Sequence, residues 1–274
     1  MTALVVRRLL IDLDQPVARH WCRDDAFLTA WFNALSMSFP VGEQFFIDAV
    51  RDGFKALPAG KQEGFRDEVQ GFVGQEATHR RIHGLFNAQI EKHGLRNHWE
   101  PRARRRLALL EGGDVRHGVA ITAANEHFTA LFAEWMLSHP DLLDGCDPRL
   151  KTLWLWHSAE EAEHKCTAFD IYQALGGSHA WRVRWMRRVT VIFLSDVLRQ
   201  TVSNLRADGT LWRWSTWRSA GRYLLGRDGL LRSSYADWKR YFRKDFHPDQ
   251  RDSGLSERWL ADNAQAYTRV GAGA

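Results

Sequence analysis

Hydrophobic and polar positions along the chain predict four long helices in its first two-thirds. Apolar residues recur there at intervals of four and three, the spacing that places side chains on one face of a helix. The predicted helices cover about 25–52, 61–93, 115–138 and 148–175. Pro40 and Gly42 are expected to interrupt the first of them, because proline lacks a backbone donor. These elements predict an all-α fold.

Each apolar stripe contains polar residues at positions that should face the core. On the second helix the stripe reads Phe65, Val69, Phe72, Glu76, His79, His83, Phe86 and Ile90. On the fourth it reads Leu150, Trp154, His157, Glu161, His164, Ala168, Ile171 and Leu175. The first and third helices carry Glu43 and Glu126 in the same way. Burying such groups without partners would cost several kcal/mol, so they must pair with one another or with a cation.

Two Glu-x-x-His segments favour a metal site. Residues three apart share a helix face, so the glutamate and the histidine of each segment can reach one point in space. Carboxylates and imidazoles suit iron, manganese or zinc. A salt-bridged layer without metal is disfavoured, because four carboxylates brought together would repel one another. The predicted ligands are Glu43, Glu76, His79, Glu126, Glu161 and His164.

The connections predict how the four helices are joined. About twenty residues separate the second helix from the third, more than an antiparallel hairpin needs, whereas the other two connections are short. A short turn, a long crossover and a short turn match the ferritin-like form of the four-helix bundle. The predicted domains are a tail (1–22), the bundle (23–178) and a C-terminal helical extension (179–274).

The C-terminal extension is basic and rich in tryptophan. Its helices are expected to pack on the bundle, with their aromatic residues in the contact. Two other roles remain open for it, a lid over a hydrophobic substrate channel and a surface for anionic lipid. Residues 268–274 are expected to fray.

The composition narrows the class of protein. With 274 residues, 45% hydrophobic and 26% charged, the chain is of globular type. It lacks both the roughly 18 uncharged apolar residues of a membrane span and a signal-peptide pattern, so a cytoplasmic location is expected. Cys22, Cys146 and Cys166 have no Cys-x-x-Cys spacing and are expected to be ordinary thiols. The net charge of +5 suggests solvated basic faces; no nucleic-acid partner is expected, and membrane-surface contact is disfavoured.

The six predicted ligands resemble those of ferritin-like di-iron carboxylate proteins, in which two helices carry one Glu each and two carry Glu-x-x-His. The resemblance implies that Glu76 and Glu161 bridge two metal ions, expected to be iron, with manganese or zinc as alternatives. The terminal ligands that it implies are Glu43 with His79 and Glu126 with His164.

A narrower resemblance concerns the segment around the second Glu-x-x-His. The residues from Trp156 to Lys165, together with Ala168-Phe169-Asp170 and Phe246-His247-Pro248, resemble a bacterial family labelled predicted metal-dependent hydrolase. The resemblance extends over about residues 10–250. Its label implies hydrolysis, whereas the six ligands resemble those of O2-activating oxidases and N-oxygenases more closely.

Three further residues, His83, His157 and Glu160, are candidates for a catalytic role. Many relatives place an Asp before each Glu-x-x-His to orient a ligand histidine; Gln75 and Glu160 stand there in this chain, and only Glu160 would add charge. His83 and His157 would lie toward the same end of the site if the second and fourth helices are antiparallel. Three roles remain open for this pair: they could ligate a metal ion, contact a metal ligand or the substrate, or form hydrogen bonds within the core. Of the two, His157 is the better candidate ligand.

The leading hypothesis is a di-iron enzyme that activates O2 to oxidise or oxygenate a small hydrophobic or aromatic substrate. Aromatic residues would keep the pocket dry, namely Phe39, Phe46, Phe72, Phe86 and Trp154. A reductase or ferredoxin and a homodimeric partner are compatible with this hypothesis. The alternatives are a hydrolase that uses a metal-bound hydroxide and a non-catalytic iron-binding or storage protein.

Overall fold

The computed structural model describes residues 4–251 and 253–270, where the chain is mainly helical, as the sequence predicts. The elements are β1 (Arg7–Leu9), α1 (Ala26–Ala56), α2 (Ala59–Lys92), α3 (Trp99–Leu107), α4 (Val115–Ser138), α5 (Pro148–His164), α6 (Thr167–Ala174), α7 (His179–Ala207), α8 (Trp214–Leu225), α9 (Leu230–Arg240), α10 (Leu255–Asp262) and β2 (Tyr267–Arg269). Short 3-10 turns lie at Ala108–Leu110, Pro140–Leu143, Pro248–Gln250 and Ala264–Ala266.

Side-chain caps explain where several of the long helices begin. The Asp25 carboxylate accepts the backbone N–H of Leu28 at the start of α1. Asp114 and Asp147 cap α4 and α5 in the same way. Each cap satisfies a backbone donor that has no partner within its helix, which stabilises the helix by about 1 kcal/mol.

A layer of buried polar residues divides the apolar core into two parts and shows the direction of each helix. Along α1 the core residues pass from the part that contains Leu35 to the part that contains Phe46. Along α2 the order is reversed, from Phe72 in the second part to Phe86 in the first. The helices α1 and α2 are therefore antiparallel, with the polar layer at mid-height.

The other two long helices complete the arrangement. The core residues of α4 run from Val119 in the second part to Met136 in the first, so α4 is parallel to α2. Those of α5 and α6 run back, from Leu150 to Ile171. The connection between α2 and α4 must consequently cross the length of the molecule, as its length predicts, and it contains α3, which the sequence pattern does not reveal.

Two predicted helix boundaries need correction. The first helix continues through Pro40 and Gly42 to Ala56, so the predicted interruption is wrong. Conversely, the fourth helix is divided after His164. The two residues of the break keep right-handed helical dihedrals, so the chain goes on turning while its regular hydrogen bonding is interrupted.

The chain ends also differ from prediction. The strand β1 lies within the predicted tail and pairs antiparallel with β2, where Thr268 and Arg269 were expected to fray. This pairing joins segments more than 250 residues apart, and no local pattern predicts it. Residues 1–3 and 271–274 of the predicted end segments lie outside the described residues.

The C-terminal helices pack mainly against α1, α4 and α5. The helix α7 packs on α1 and α4, α8 on α1, α9 on α4, and α10 on α5 and α4. Across the described residues, we find no helix with the length and apolarity that crossing a membrane requires.

Candidate metal centre

The six predicted ligands lie together in the buried layer. The contributing helices are α1 for Glu43, α2 for Glu76 and His79, α4 for Glu126, and α5 for Glu161 and His164. All six side chains are buried. One ligand atom from each of the four Glu-x-x-His residues, Glu76, His79, Glu161 and His164, lies within 4.8 Å of the other three, and Glu43 forms a second such group with His83 and His157. Glu126 joins the first group through a contact of 2.8 Å to Nδ1 of His164.

Several polar atoms of these residues lack the hydrogen-bond partners that burial demands. Within the described residues, each predicted ligand has at least one buried atom without a hydrogen bond: both carboxylate oxygens of Glu43 and Glu76, Nδ1 of His79, Oε1 of Glu126, Oε2 of Glu161, and Nε2 of His164. Leaving one such atom unsatisfied costs about 1–3 kcal/mol, and more when it is charged. The donor set fits one or two cations placed among these atoms.

The electrostatics of the metal-free cluster lead to the same conclusion. Burial, followed by the repulsion of neighbouring carboxylates, raises the pKa of Glu76 well above its ordinary range. Burial likewise raises the pKa of Glu43, and that of Glu126 to about 7. Without a cation these side chains hold protons that a bound metal would displace.

Glu160 lies behind His79, in the position that the sequence predicts for an orienting residue. Its Oε2 is 2.9 Å from Nε2 of His79, which leaves the opposite nitrogen, Nδ1, facing the cluster. Burial alone would lower the pKa of His79, but the neighbouring carboxylates of Glu160 and Glu161 raise it to about 10. Arg7 from β1 donates to Glu160 at 3.1 Å and to Glu163 at 2.7 Å. No sequence signal marks Arg7, because its role depends on the distant pairing of β1.

Gln75 does not play the equivalent part for His164. Its amide donates to Glu163 at 2.7 Å and to the carbonyl of Val5 at 3.0 Å, and its Oε1 has no partner among the described residues. Nδ1 of His164 contacts Glu126 instead. The two halves of the site are therefore chemically different although their sequence patterns match.

The two additional histidines form one buried chain of contacts. Nε2 of His83 lies 2.7 Å from Nδ1 of His157, which confirms that they meet at the same end of the layer. Nε2 of His157 lies 2.8 Å from Oε1 of Glu161. At the other end, Nδ1 of His83 lies 2.9 Å from the Ser36 hydroxyl, which donates to Oδ1 of Asn87 at 2.7 Å. The sequence pattern does not indicate Ser36 and Asn87, which are ordinary core residues until the two helices are packed.

The row of contacts from Asn87 to Glu161 has one proton too few for every contact to be a hydrogen bond. The amide of Asn87 donates to the carbonyl of Ser36, so its Oδ1 faces the hydroxyl and can only accept. Ser36 and two neutral imidazoles supply three protons, but four contacts link Asn87 to an ionised Glu161. If the protons fill the contacts from the Asn87 end, Nε2 of His157 is left with a lone pair directed at Glu161. A cation on Glu161 would provide the missing positive charge.

An apolar cavity adjoins this end of the cluster. It has a volume of about 320 Å³ and is lined by residues of α1, α4, α5, α7 and α9. His157 and Glu161 form part of its wall. Most of the remaining wall is apolar, from residues that include Phe39, Phe132, Trp154, Phe193, Leu230 and Trp238. Among the described residues, its wall contains no lysine or arginine.

The model of one family, described as predicted metal-dependent hydrolase, matches residues 5–252 of this chain. The match covers nearly the whole sequence, so the chain belongs to that family, and the narrower of the two resemblances seen in the sequence is confirmed. Neither a curated protein nor a solved structure matches.

Proposed function

We propose that this member of the predicted metal-dependent hydrolase family hydrolyses a small, uncharged, apolar ester or amide at a two-metal centre. The observation that carries the proposal is the set of unpartnered buried atoms on all six predicted ligands. The family description and the adjoining cavity support it. We also propose that the four long helices form a ferritin-like bundle, with antiparallel neighbours and one crossover.

The proposed ligands are Glu43, Glu76, His79, Glu126, Glu161 and His164. When bound, the metal ions would polarise the substrate carbonyl and lower the pKa of a water molecule, which is the chemistry that such ions supply in hydrolases. Glu160 holds His79 in place through Nε2 and, with Arg7 behind it, keeps the ring from turning. Positioning of this kind raises metal affinity.

His157 is the residue that we assign to proton transfer. Its ring lies between the cavity and the carboxylate of Glu161. The proton count leaves a lone pair on Nε2, and a cation that held the Glu161 carboxylate away from it would free this lone pair to accept a proton from the attacking water and return it to the leaving group. His83 fixes the tautomer through Nδ1 of His157. Phe39 packs on both rings, with centroids 4.5 and 4.6 Å away, and excludes solvent.

The cavity determines the substrate class. A phosphate or carboxylate substrate would require a cationic side chain in the wall, since burying an unpaired charge is costly, and the wall contains none. An uncharged acyl or aryl group gains from the apolar lining, at about 25 cal/mol per Å² of apolar surface removed from water.

Metal content and ester hydrolysis test the proposal together. The protein is expressed with zinc, manganese or iron, its metal content is measured by mass spectrometry, and hydrolysis of neutral nitrophenyl esters is followed. We expect two ions per chain and hydrolysis that a chelator abolishes. Glu76→Ala with Glu161→Ala should lose both metal and activity, whereas Glu68→Gln, also on α2 but outside the cluster, should keep both. A double variant that retains two ions refutes the assignment of ligands.

Oxidation with O2 is the second candidate. The carboxylate-rich ligand set favours it, since four glutamates and two histidines suit iron. No comparison supports this reaction, and the family description favours hydrolysis. Mixing the anaerobic ferrous protein with O2 separates the two candidates. A transient visible absorption accompanied by oxidation of an apolar substrate supports the oxidase, and its absence in a protein that cleaves esters supports the hydrolase.

A further inference from the structure

The outward face of α7 carries apolar side chains in contact with water. Val191 is 69% exposed and Leu198 55%, and Ile192 and Leu194 are each more than one-third exposed. A single exposed apolar residue is ordinary, but a continuous apolar surface marks an interaction site.

This surface continues onto the rims of two cavities that lie on either side of α7. The cavity beside the metal centre is lined by Leu194 of α7 and Tyr235 of α9, which is 59% exposed. A second apolar cavity of about 390 Å³ is lined by Ile192 and by Leu109, which is 84% exposed. The apolar surface thus extends from one rim across α7 to the other.

Arginines lie at one end of this surface. Arg184, Arg187 and Arg188 are exposed in the first half of α7. Their guanidinium groups lie over the rings of neighbouring aromatic residues, Trp181, Phe242 and Trp185 respectively. In the part of the chain that the structure describes, none of the three has a carboxylate partner, so their charges are available to an anionic surface.

Acidic residues are absent from the exposed face of α7. The single acid of this helix, Asp196, is buried and paired with Arg102 and Arg106. A second copy of the same face would therefore offer these arginines no carboxylate to pair with. An apolar surface bordered by cations is complementary to an anionic membrane, into which apolar side chains insert beside the headgroups.

We propose that the outward face of α7 docks on the surface of an anionic membrane, without spanning it. Val191 and Leu198 enter the interface, and the arginines contact lipid phosphates. Both cavities then open beside the bilayer, which would give apolar substrates a route into them. This part of the inference rests on the proposed function. Docking itself is measured without turnover, so its test does not depend on hydrolysis.

Vesicle sedimentation tests the proposal. The full chain is incubated with vesicles of phosphatidylcholine and phosphatidylglycerol in equal parts, and with phosphatidylcholine alone. We expect binding to the anionic vesicles that weakens as salt is raised. Val191→Glu with Leu198→Glu should reduce the affinity at least tenfold. Leu10→Glu, an equally exposed site beside β1, should leave it unchanged.

The charge contribution is tested separately. Arg184→Gln with Arg187→Gln should weaken binding to anionic vesicles by about fivefold per arginine and flatten the salt dependence. Lack of binding to anionic vesicles at low salt overturns the proposal, as does a Val191→Glu, Leu198→Glu protein that binds like the wild type. A dimer that this double variant dissociates in the absence of vesicles also overturns it, because the face would then belong to a second copy.

Discussion

In the metal centre that we propose, Glu160 would act through His79 rather than by contact with the ions. Its oxygen holds Nε2 of His79 at 2.9 Å and so determines which nitrogen faces the cluster. We expect Glu160→Ala to weaken metal binding by about 10–100-fold, the usual effect of removing such a partner. Glu160→Gln, which still accepts the imidazole proton, should lose less. Competition with a chelator measures both, and an unchanged affinity in Glu160→Ala would contradict the orienting role.

His157 is expected to separate catalysis from metal binding. Burial, followed by the charge of His79, lowers the pKa of His157 to about 4 in the metal-free protein, so its neutral form prevails at pH 7. We predict that His157→Gln keeps two metal ions and loses at least 100-fold in ester hydrolysis, the range typical of a lost general base. Loss of one ion per chain would show instead that Nε2 of His157 is a ligand. The Phe39→Leu variant, which leaves the imidazole in place, serves as a packing control.

At the scale of elements, Asp208 connects the N-terminal segment to the end of α7. Its carboxylate accepts from Arg19 at 2.6 Å, from His20 at 2.8 Å and from the Thr210 hydroxyl at 2.8 Å. Burial would raise the pKa of Asp208, but these hydrogen bonds lower it below its ordinary value. The resulting stability is present above the unfolded pKa of about 4 and is lost as the pH falls through the folded value.

Asp208→Asn should therefore lower the free energy of unfolding by about 1–2 kcal/mol at pH 7. The difference from the wild type should shrink as the pH falls below about 4, toward the lower folded pKa at which the native carboxylate takes up a proton. Denaturant titrations at several pH values measure this difference. Asp141→Asn, at an exposed site, should show no such dependence. A deficit that persists unchanged at pH 3 would argue against the ionic contribution.

Cys22 and Cys146 connect two other elements. They form an isolated antiparallel bridge between the segment before α1 and the connection from α4 to α5, and their sulfur atoms lie 2.8 Å apart. The spacing of the cysteines gives no hint of this proximity, because it arises only when the helices are assembled. Cys166, by contrast, lies in the break between α5 and α6.

This proximity predicts a disulfide under mild oxidation. Diamide should remove two electrons and two protons from the pair and leave Cys166 as the one titratable thiol. Closure of so long a loop should raise the free energy of unfolding by about 2–4 kcal/mol. Thiol titration and peptide mapping identify the bond, and Cys22→Ser should prevent it. Three thiols remaining after oxidation would disprove the prediction.

The helices and the buried cluster were predictable from sequence because both depend on the same periodicity. Glu76, His79 and His83 interrupt an apolar stripe at core positions, so their burial follows from the helix that carries them. Arg7 and Asn87 had no comparable signal, since their contacts join segments that are distant in sequence. The break after His164 was also hidden, because its residues keep helical dihedrals. Local pattern therefore predicts which residues are buried, and tertiary packing decides their partners.

At the scale of the whole molecule, the C-terminal helices complete the proposed substrate site. The wall of the cavity beside His157 combines α4 and α5 of the four long helices with α7 and α9 from the final third of the chain. The helices α7 and α9 thus pack on the bundle helices and also form part of the cavity wall. Substitutions in α7 or α9 can therefore change the size of the cavity without altering the metal ligands.

Ser234 of α9 offers such a change, because it lines the cavity while its neighbour Ser233 points to solvent. We predict that Ser234→Phe fills part of the 320 Å³ and raises the KM for long acyl esters about tenfold or more. Acetyl esters should be cleaved as by the wild type, and two metal ions should remain. Ser233→Phe adds the same ring outside the cavity and should alter neither substrate. If Ser234→Phe slows both esters equally, or Ser233→Phe has the same effect, the cavity is not the acyl-binding site.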